Sequence, residues 1–180
     1  LNDICHEMST CFADLLSDRQ VTFIPGDAEQ LSFPSGQDLI VSCSALQWFV
    51  SPELFFKRCN ALLSGHGYFA FSTFGKENLK EIAAVTGSGL HYYSLEELKK
   101  SLSMHYNIVT AGEERIRLTF ATPLYVLYHL KHTGVTAVCR QAWTKGDLQE
   151  FCDKYAKLFS CGNAVTLTYH PLYIIARKKP

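Results

Sequence analysis

Residues 38–49 read DLIVSCSALQWF and carry the clearest fold signal in this chain. Their first half is a continuous apolar run of strand length, which is typical of parallel strands that are buried on both faces. Three small residues (Ser42, Cys43 and Ser44) end the run, and an aromatic pair follows. Ligands of open α/β sheets bind beyond the carboxyl ends of the strands. The stretch therefore predicts a central strand of such a sheet, with a binding site at its end.

Helical and strand patterns alternate on both sides of this stretch. We predict helices over residues 4–17, 52–64, 94–102, 122–133 and 144–160. We predict strands over residues 20–24, 38–44, 66–74, 107–120 and 164–179, with a kink or an edge position at Pro171. Such alternation favours an open parallel sheet with helices on both faces. We therefore expect an α/β fold in one domain, residues 1–180, with a small helical cover inserted at about 118–162.

Composition and charge exclude several classes of function. Apolar residues make up 47% of the 180 residues and charged ones 19%, as in ordered globular proteins. Seventeen basic residues balance seventeen acidic ones, so no basic field points to nucleic acid. Apolar runs such as PLYIIA are too short to cross a membrane, and no signal peptide is visible. The seven cysteines are odd in number and form no CxxC pair, which indicates reduced thiols and a cytoplasmic protein.

Two acidic residues occupy places where strands end. Asp3 precedes the first predicted helix, and Asp27 follows the strand at 20–24, in the segment GDAEQ. One carboxylate can accept both hydroxyls of a ribose, and another can accept the exocyclic amine of adenine. Taken alone, each aspartate is better explained as an exposed turn or a helix cap. Their spacing around one helix and one strand favours a nucleoside site.

The chain resembles the class I S-adenosylmethionine-dependent methyltransferases over about residues 1–75. In that family an acidic residue after the second strand binds the cofactor ribose, and an acidic segment after the third strand lies against adenine. The fourth strand runs alongside the methionine part of the cofactor. The resemblance implies that S-adenosyl-L-methionine contacts Asp3, Ile4, Asp27, Ala28, Ser42, Cys43 and Trp48.

Four segments are similar to the malonyl-acyl-carrier-protein O-methyltransferases of biotin synthesis. They read DLIVSCSALQWF, FAFSTFGKENLKEI, HLKHTGVTA and LTYHPLYIIARKK, and they extend the resemblance over the whole chain. The resemblance implies methyl transfer from S-adenosylmethionine to the free carboxylate of a malonyl thioester. The implied partner is malonyl-acyl carrier protein or malonyl-CoA, with neither nucleic acid nor a membrane involved.

The N-terminus departs from the pattern of this family. Class I methyltransferases begin with a strand and a glycine-rich loop, whose backbone N–H groups carry the carboxypropyl end of the cofactor. Residues 1–17 contain neither feature, so we expect a chain truncated at its N-terminus, starting at the end of the family's second strand. A sheet without its first strand exposes edges, and we expect these edges to favour self-association.

The segments that resemble this family supply candidate residues for the malonyl group. Tyr169 and His170 lie in LTYHP, and Thr73 ends the strand FAFST, so these three are the expected catalytic residues. Lysine, histidine and arginine side chains can bind a carboxylate, and an arginine fork suits it best. We expect the substrate to contact His129, Lys131 and Arg117.

Other interpretations of these residues stay open. Tyr169 is equally well explained as a packed ring and His170 as a structural hydrogen-bonding group, while the arginines of EERIR are better explained as a solvated strand face. His129 and His132 share one helix face, but no third ligand has suitable spacing, so we expect no metal. The chain also fits a methyltransferase for another small carboxylic acid, or a non-catalytic methyltransferase-like binding module.

Overall fold

The computed structural model describes residues 1–134 and 143–180 and has an α/β architecture. The α-helices are α1 (Ala13–Leu16), α2 (Pro52–Leu62), α3 (Lys80–Thr86), α4 (Leu95–Leu102), α5 (Pro123–His132) and α6 (Lys145–Phe159). Two 3₁₀ helices lie at His6–Phe12 and Leu46–Trp48. The strands are β1 (Asn2–Asp3), β2 (Ile24–Pro25), β3 (Gln37–Cys43), β4 (Leu63–Phe74), β5 (Tyr106–Glu113), β6 (Ile116–Phe120), β7 (Ser160–Cys161), β8 (Ala164–Tyr169) and β9 (Pro171–Lys178). Within this described part, no helix is long and apolar enough to span a bilayer.

A four-stranded sheet forms the larger core, in the order β3-β4-β9-β5. β3 and β4 are parallel, whereas β9 lies antiparallel between β4 and β5. On one face of this sheet, Phe69 and Phe71 pack in one buried cluster with Phe56 of α2, Leu102 of α4 and Ile174 of β9. Complete burial of such a side chain stabilises the fold by roughly 1.5–3 kcal/mol. This face therefore anchors the carboxyl end of β4, where the expected site begins.

The opposite face of the same sheet is exposed, which corrects the prediction for residues 38–44. Leu39 and Val41 of β3 are 56% and 58% exposed, and Tyr173 of β9 is 52% exposed. Successive strand residues point to opposite faces, so these side chains share the face that α2 and α4 do not cover. β3 is also the end strand of the sheet. The predicted burial of this strand on both faces, and its central position, are therefore wrong for the described residues.

A second sheet, in the order β6-β8-β7, carries the smaller core. Its buried side chains, Val165 and Leu167, cluster with Leu130 of α5, Tyr155 of α6 and Ile82 of α3. The predicted helices at 122–133 and 144–160 correspond to α5 and α6, while α3 was not predicted. The proposed cover at 118–162 contains α5 and α6, and residues 135–142 within it lie outside the described residues. As a domain boundary, the cover stays a prediction.

Two long predicted strands are each divided between the two sheets. Residues 107–120 form β5 and β6, and residues 164–179 form β8 and β9, with His170 at the second break. Each pair must change sheets, so the chain turns where a single strand was predicted. Pro171 has no N–H to donate and starts β9, which explains the break. The kink at Pro171 is confirmed, but an edge position is not, because β9 lies between two strands.

The N-terminal region is less regular than its sequence pattern predicts. The expected helix at 4–17 is a 3₁₀ helix followed by the four-residue α1, and neither buries a residue. The expected strand at 20–24 is reduced to β2, which pairs in parallel with β1. The helix predicted at 94–102 is confirmed as α4, with the capping box between Ser94 and Glu97.

Candidate active site

Asp3 and Asp27 lie at the same edge of the β1–β2 pair. The strands are parallel, with Asp3 opposite Pro25, and the N–H of Gly26 donates to the Asp3 carbonyl at 2.8 Å. Oδ1 of Asp3 accepts a hydrogen bond from the N–H of Cys5 at 2.8 Å. The two oxygens of Asp27 accept from the N–H of Glu29 and the amide of Gln30. The prediction that both aspartates lie where strands end is confirmed, since Asp3 is the last residue of β1 and Asp27 lies two residues after β2. Oδ2 of Asp3 has no hydrogen-bond donor among the described residues.

Glu29 connects this edge to the segment after β3, and sequence reasoning missed it. Its two carboxylate oxygens accept from the N–H groups of Val50 and Ser51, both at 2.8 Å. The partners are 21 and 22 residues away, so no local pattern could have indicated the contact. Because Ala28 also packs on the larger core, this loop is held beside the end of β3.

Ser42, Cys43 and Trp48 lie at the end of β3 and in the 3₁₀ turn after it, as predicted. Cys43 is exposed and Trp48 is half-exposed, so both side chains are accessible. Ile4 is 75% exposed beyond β1. The residues expected to contact the cofactor therefore lie along the carboxyl ends of β1, β2 and β3.

Thr73 is buried at the carboxyl end of β4 and lines a shallow cleft. Its hydroxyl donates to Oε1 of Gln47 at 3.0 Å, and the amide of Gln47 donates to the Ser44 carbonyl. Ser44 has a positive φ of 50°, a conformation that bends the chain sharply at this point. Gln47 was not singled out from the sequence, although it lies inside the stretch quoted first. It joins the ends of β3 and β4 into one surface.

Tyr169 and His129 form a part-buried polar pair. The Tyr169 hydroxyl lies 3.0 Å from Nε2 of His129, which reaches it from α5. Phe120 packs on His129 with ring centroids 5.1 Å apart, and Phe74 lies 6.2 Å from the Tyr169 ring. Burial raises the pKa of Tyr169, so its hydroxyl stays protonated near neutral pH. We call Tyr169 and the neighbouring rings of Phe74, Phe120 and His129 the enclosure; with its single hydroxyl donor it suits the carboxylate of a small substrate.

His170 is 3% exposed and does not face this enclosure. Its Nδ1 accepts a hydrogen bond from the N–H of Glu77 at 3.1 Å, and its Nε2 lies 3.1 Å from Oε2 of Glu113. Because both ring nitrogens have partners, the imidazole has no free site for a substrate. The geometry therefore corrects the interpretation of His170 as a catalytic residue and agrees with the structural alternative.

The cationic candidates lie on the outside. Lys131 is exposed in the last turn of α5, and Arg117 is exposed on β6 opposite Thr168. Since neighbouring strand residues alternate, Arg117 points to the other face of this sheet from Tyr169. Arg115 pairs with Glu77 and Glu113 and is not available to a ligand. The structure brings Tyr169 and His129 together, whereas the Thr73 hydroxyl pairs with Gln47, and Lys131 and Arg117 are exposed.

The segment HLKHTGVTA extends past residue 134, and its last three residues lie outside the described part of the chain. Within residues 1–134 and 143–180, no cluster of three or more histidine, cysteine, aspartate or glutamate side chains could hold a metal ion.

Comparison with known proteins supports the sequence resemblance. The family profile described as a methyltransferase domain matches residues 1–71. The malonyl-acyl-carrier-protein O-methyltransferase of Bacteroides thetaiotaomicron is 56% identical over 189 aligned positions. That alignment covers 99% of this chain and 72% of the relative.

Solved structures agree on the fold. The YcgJ protein from Bacillus subtilis has a TM-score of 0.65 at 16% identity, over 99% of this chain and 81% of that one. A phosphoethanolamine N-methyltransferase of Haemonchus contortus, solved with S-adenosylhomocysteine, has a TM-score of 0.56 at 15% identity, over 99% of this chain and 43% of that one. Likenesses at such low identity concern the fold alone, and they confirm the α/β fold class.

Proposed function

Because this chain belongs to the malonyl-acyl-carrier-protein O-methyltransferase family, we propose that it methylates the free carboxylate of a malonyl thioester with S-adenosylmethionine. The observation that carries the substrate proposal is the Tyr169–His129 pair, a part-buried hydroxyl donor in an aromatic enclosure next to the end of β4. The thioester is presented by an acyl carrier protein, or by coenzyme A in its place. Such a reaction belongs to the cytoplasm, where biotin synthesis draws on fatty-acid intermediates.

The residues at the carboxyl ends of β1, β2 and β3 fit the cofactor. Oδ2 of Asp3 can accept from the ribose hydroxyls, while Asp27 and Ala28 adjoin the position expected for adenine. Ser42, Cys43 and Trp48 would lie along the methionine part. When bound, S-adenosylmethionine supplies an electrophilic methyl group on a sulfonium. The edge presents carboxylates and accessible side chains, which suits a ligand that carries hydroxyl, amine and sulfonium groups.

The nucleophile in this reaction requires no general base. A malonyl carboxylate is already ionised near pH 7, since carboxyl groups have pKa values near 4. The tasks of the chain are therefore to orient the carboxylate and to exclude water, because an anion that meets a cation reacts faster in a dry site. Tyr169 donates one hydrogen bond to a carboxylate oxygen and leaves the other oxygen free to attack. His129 fixes the direction of that hydroxyl.

Methylation removes the charge of the malonyl end. The product is a neutral ester, which the enzymes of fatty-acid synthesis can extend as they extend an ordinary acyl chain. This logic explains why the site needs one neutral donor: a buried cation would hold the carboxylate so firmly that attack on the methyl group would slow.

Calorimetric binding of S-adenosylhomocysteine tests the cofactor half of the proposal. Asp3→Ala removes the proposed ribose acceptor and should weaken binding by about tenfold or more, since hydrogen bonds to charged groups contribute about 1.5–3 kcal/mol. Asp14→Ala removes an exposed carboxylate from α1 and is the matched control. Equal affinities for the two variants would overturn the assignment of Asp3.

The substrate half is tested by methyl transfer with Tyr169→Phe. Loss of the hydroxyl should lower kcat/KM for the malonyl thioester by about tenfold to a thousandfold, as for one donor to a reacting oxygen. Tyr68→Phe, on the exposed face of the four-stranded sheet, is the control and should retain activity. An unchanged rate in Tyr169→Phe would refute the proposed role of the enclosure.

A further inference from the structure

Four residues beside the enclosure form a closed circuit of hydrogen bonds. The N–H of Glu77 donates to Nδ1 of His170 at 3.1 Å, and Nε2 of His170 meets Oε2 of Glu113 at 3.1 Å. Nη1 of Arg115 donates to Oε1 of Glu113 at 3.0 Å, and its Nε donates to Oε1 of Glu77 at 2.6 Å. The last contact returns to the residue where the first began. We call these four residues the His170 circuit.

The His170 circuit joins three separate segments of the chain. Glu77 lies in the loop between β4 and α3, and His170 lies between β8 and β9. Glu113 ends β5, and Arg115 lies in the turn from β5 to β6. These are the places where the chain leaves one sheet for the other or enters the smaller core. The circuit therefore fixes how the end of the four-stranded sheet is aligned with the β6-β8-β7 sheet.

The backbone of His170 is held as firmly as its side chain. Its N–H donates to Oδ1 of Asn78 at 3.2 Å, and its carbonyl accepts from the N–H of Gly75 at 2.7 Å. An added Cβ on Gly75 would lie 2.6 Å from the imidazole, so this loop approaches as closely as glycine allows. The imidazole, the peptide group of His170 and the loop between β4 and α3 are therefore held in one fixed arrangement.

The contacts also fix the protonation pattern of His170. A backbone N–H can only donate, so Nδ1 must be unprotonated and Nε2 must carry the hydrogen that is donated to Glu113. The neutral Nε2–H tautomer satisfies both nitrogens. Hydrogen bonds from Arg115 and His170 keep the pKa of Glu113 below its usual range. Hydrogen bonds from Arg115 and Lys80 lower the pKa of Glu77 to about 2. Both acids are therefore ionised near neutral pH.

We propose that Glu113 and Arg115 are positioning residues, which act through His170 to aim the hydroxyl of Tyr169 at the substrate carboxylate. Tyr169 immediately precedes His170, so a fixed imidazole and peptide at 170 fix the direction in which the Tyr169 side chain leaves the strand. The Tyr169 hydroxyl then meets His129 at 3.0 Å. The substrate in this statement rests on the proposed function, whereas the positioning of Tyr169 against His129 does not.

Stability alone does not account for the outer half of the circuit. The side chains of Arg115 and Glu77 are 48% and 39% exposed, and exposed ion pairs contribute little to stability. Their contacts nevertheless converge on a histidine that is almost completely buried. An exposed ion pair that is linked to a buried imidazole beside the enclosure therefore serves to orient that imidazole.

The test compares variants by NMR of the imidazole nitrogens, with His170→Gln and His129→Gln used to assign the two signals. Glu113→Leu removes the acceptor of Nε2, and we expect loss of the single Nε2–H tautomer of His170 together with a shift of the His129 signal. Glu113→Gln keeps an amide oxygen for Nε2 and should restore both signals. Glu150→Leu, which removes an exposed ion pair with Lys154 on α6, is the matched control and should change neither.

Kinetics with a malonyl thioester supply the second measurement. Glu113→Leu should lower kcat by about tenfold or more, because a small displacement of an orienting group is costly. The affinity for S-adenosylhomocysteine should not change, since the cofactor residues lie on other strands. Arg115→Gln disrupts the His170 circuit from its exposed end and should shift the His129 signal in the same direction. This variant provides the test if Glu113→Leu fails to fold.

A change at His170 with an unchanged His129 signal in both variants would overturn the proposal, because the circuit would then be local scaffolding. A loss of cofactor affinity equal to the loss of kcat would also overturn it. Failure of all variants and the parent chain to methylate malonyl thioesters, with the His129 shift present, would reject the proposed substrate and leave the positioning intact.

Discussion

Gly75→Ala gives the sharpest test of how closely the β4–α3 loop approaches the strand junction. An alanine Cβ at this position would lie 2.6 Å from Cε1 and 2.7 Å from Nδ1 of His170. The imidazole cannot retreat without breaking its hydrogen bonds to Glu77 and Glu113. Overpacking a rigid site costs about 1–3 kcal/mol of unfolding free energy. Gly75 does not have a positive φ, so the backbone itself would accept alanine.

Gly65→Ala is the control, because no atom lies within 4 Å of the Cβ that it would introduce. Both substitutions restrict the unfolded chain equally, a gain of about 0.4–1 kcal/mol that cancels when the two variants are compared. The difference between them therefore isolates the steric conflict. Equilibrium urea unfolding should place Gly75→Ala below Gly65→Ala by about 1–3 kcal/mol at similar m-values. Equal stabilities would refute the close packing of Gly75 on His170.

Three further outcomes follow from single contacts. Ion pairing, led by Arg115 for Glu77 and by Lys76 for Glu97, lowers both pKa values from 4.5 to about 2. The stability that these two carboxylates contribute is therefore complete above about pH 4.5 and is lost as the pH falls toward 2. In acid unfolding, the double variant Glu77→Gln/Glu97→Gln should therefore show a smaller fall in the free energy of unfolding over that pH range. Tyr106→Phe removes the buried hydroxyl that donates to the Phe56 carbonyl at 2.8 Å and should cost about 1–3 kcal/mol in urea unfolding, because that carbonyl loses its partner. Ser94→Ala removes the cap of α4 and should cost about 1 kcal/mol, whereas Ser94→Gly should cost only a few tenths.

Features that depend on neighbours in sequence were predictable. The capping box of Ser94 and Glu97 spans three residues, and Pro52 and Pro123 start α2 and α5 where proline is tolerated. Asp3 and Asp27 were placed correctly at strand ends, because Asp3 is the last residue of β1 and Asp27 lies two residues after β2. Local spacing determines all of these features, so one sequence was sufficient.

Features that depend on sheet order were not predictable. The apolar run in β3 looks central, yet the order β3-β4-β9-β5 places it at an end, and no local pattern encodes that order. Residues 107–120 and 164–179 each read as one strand because both halves are apolar, and only packing in two sheets divides them. The same limit hid Gln47 and Glu29, whose partners are 21 to 26 residues away. His170 looked catalytic until its partners at positions 77 and 113 were seen.

The most direct single measurement is the intact mass of malonyl-acyl carrier protein after incubation with this chain and S-adenosylmethionine, beside acetyl-acyl carrier protein as the control without a free carboxylate. We expect the malonyl form alone to gain one methyl group, and Tyr169→Phe to abolish most of that gain. Methylation of both thioesters, or of the malonyl thioester at an unchanged rate in Tyr169→Phe, would contradict the assignment of the malonyl carboxylate to the Tyr169–His129 enclosure.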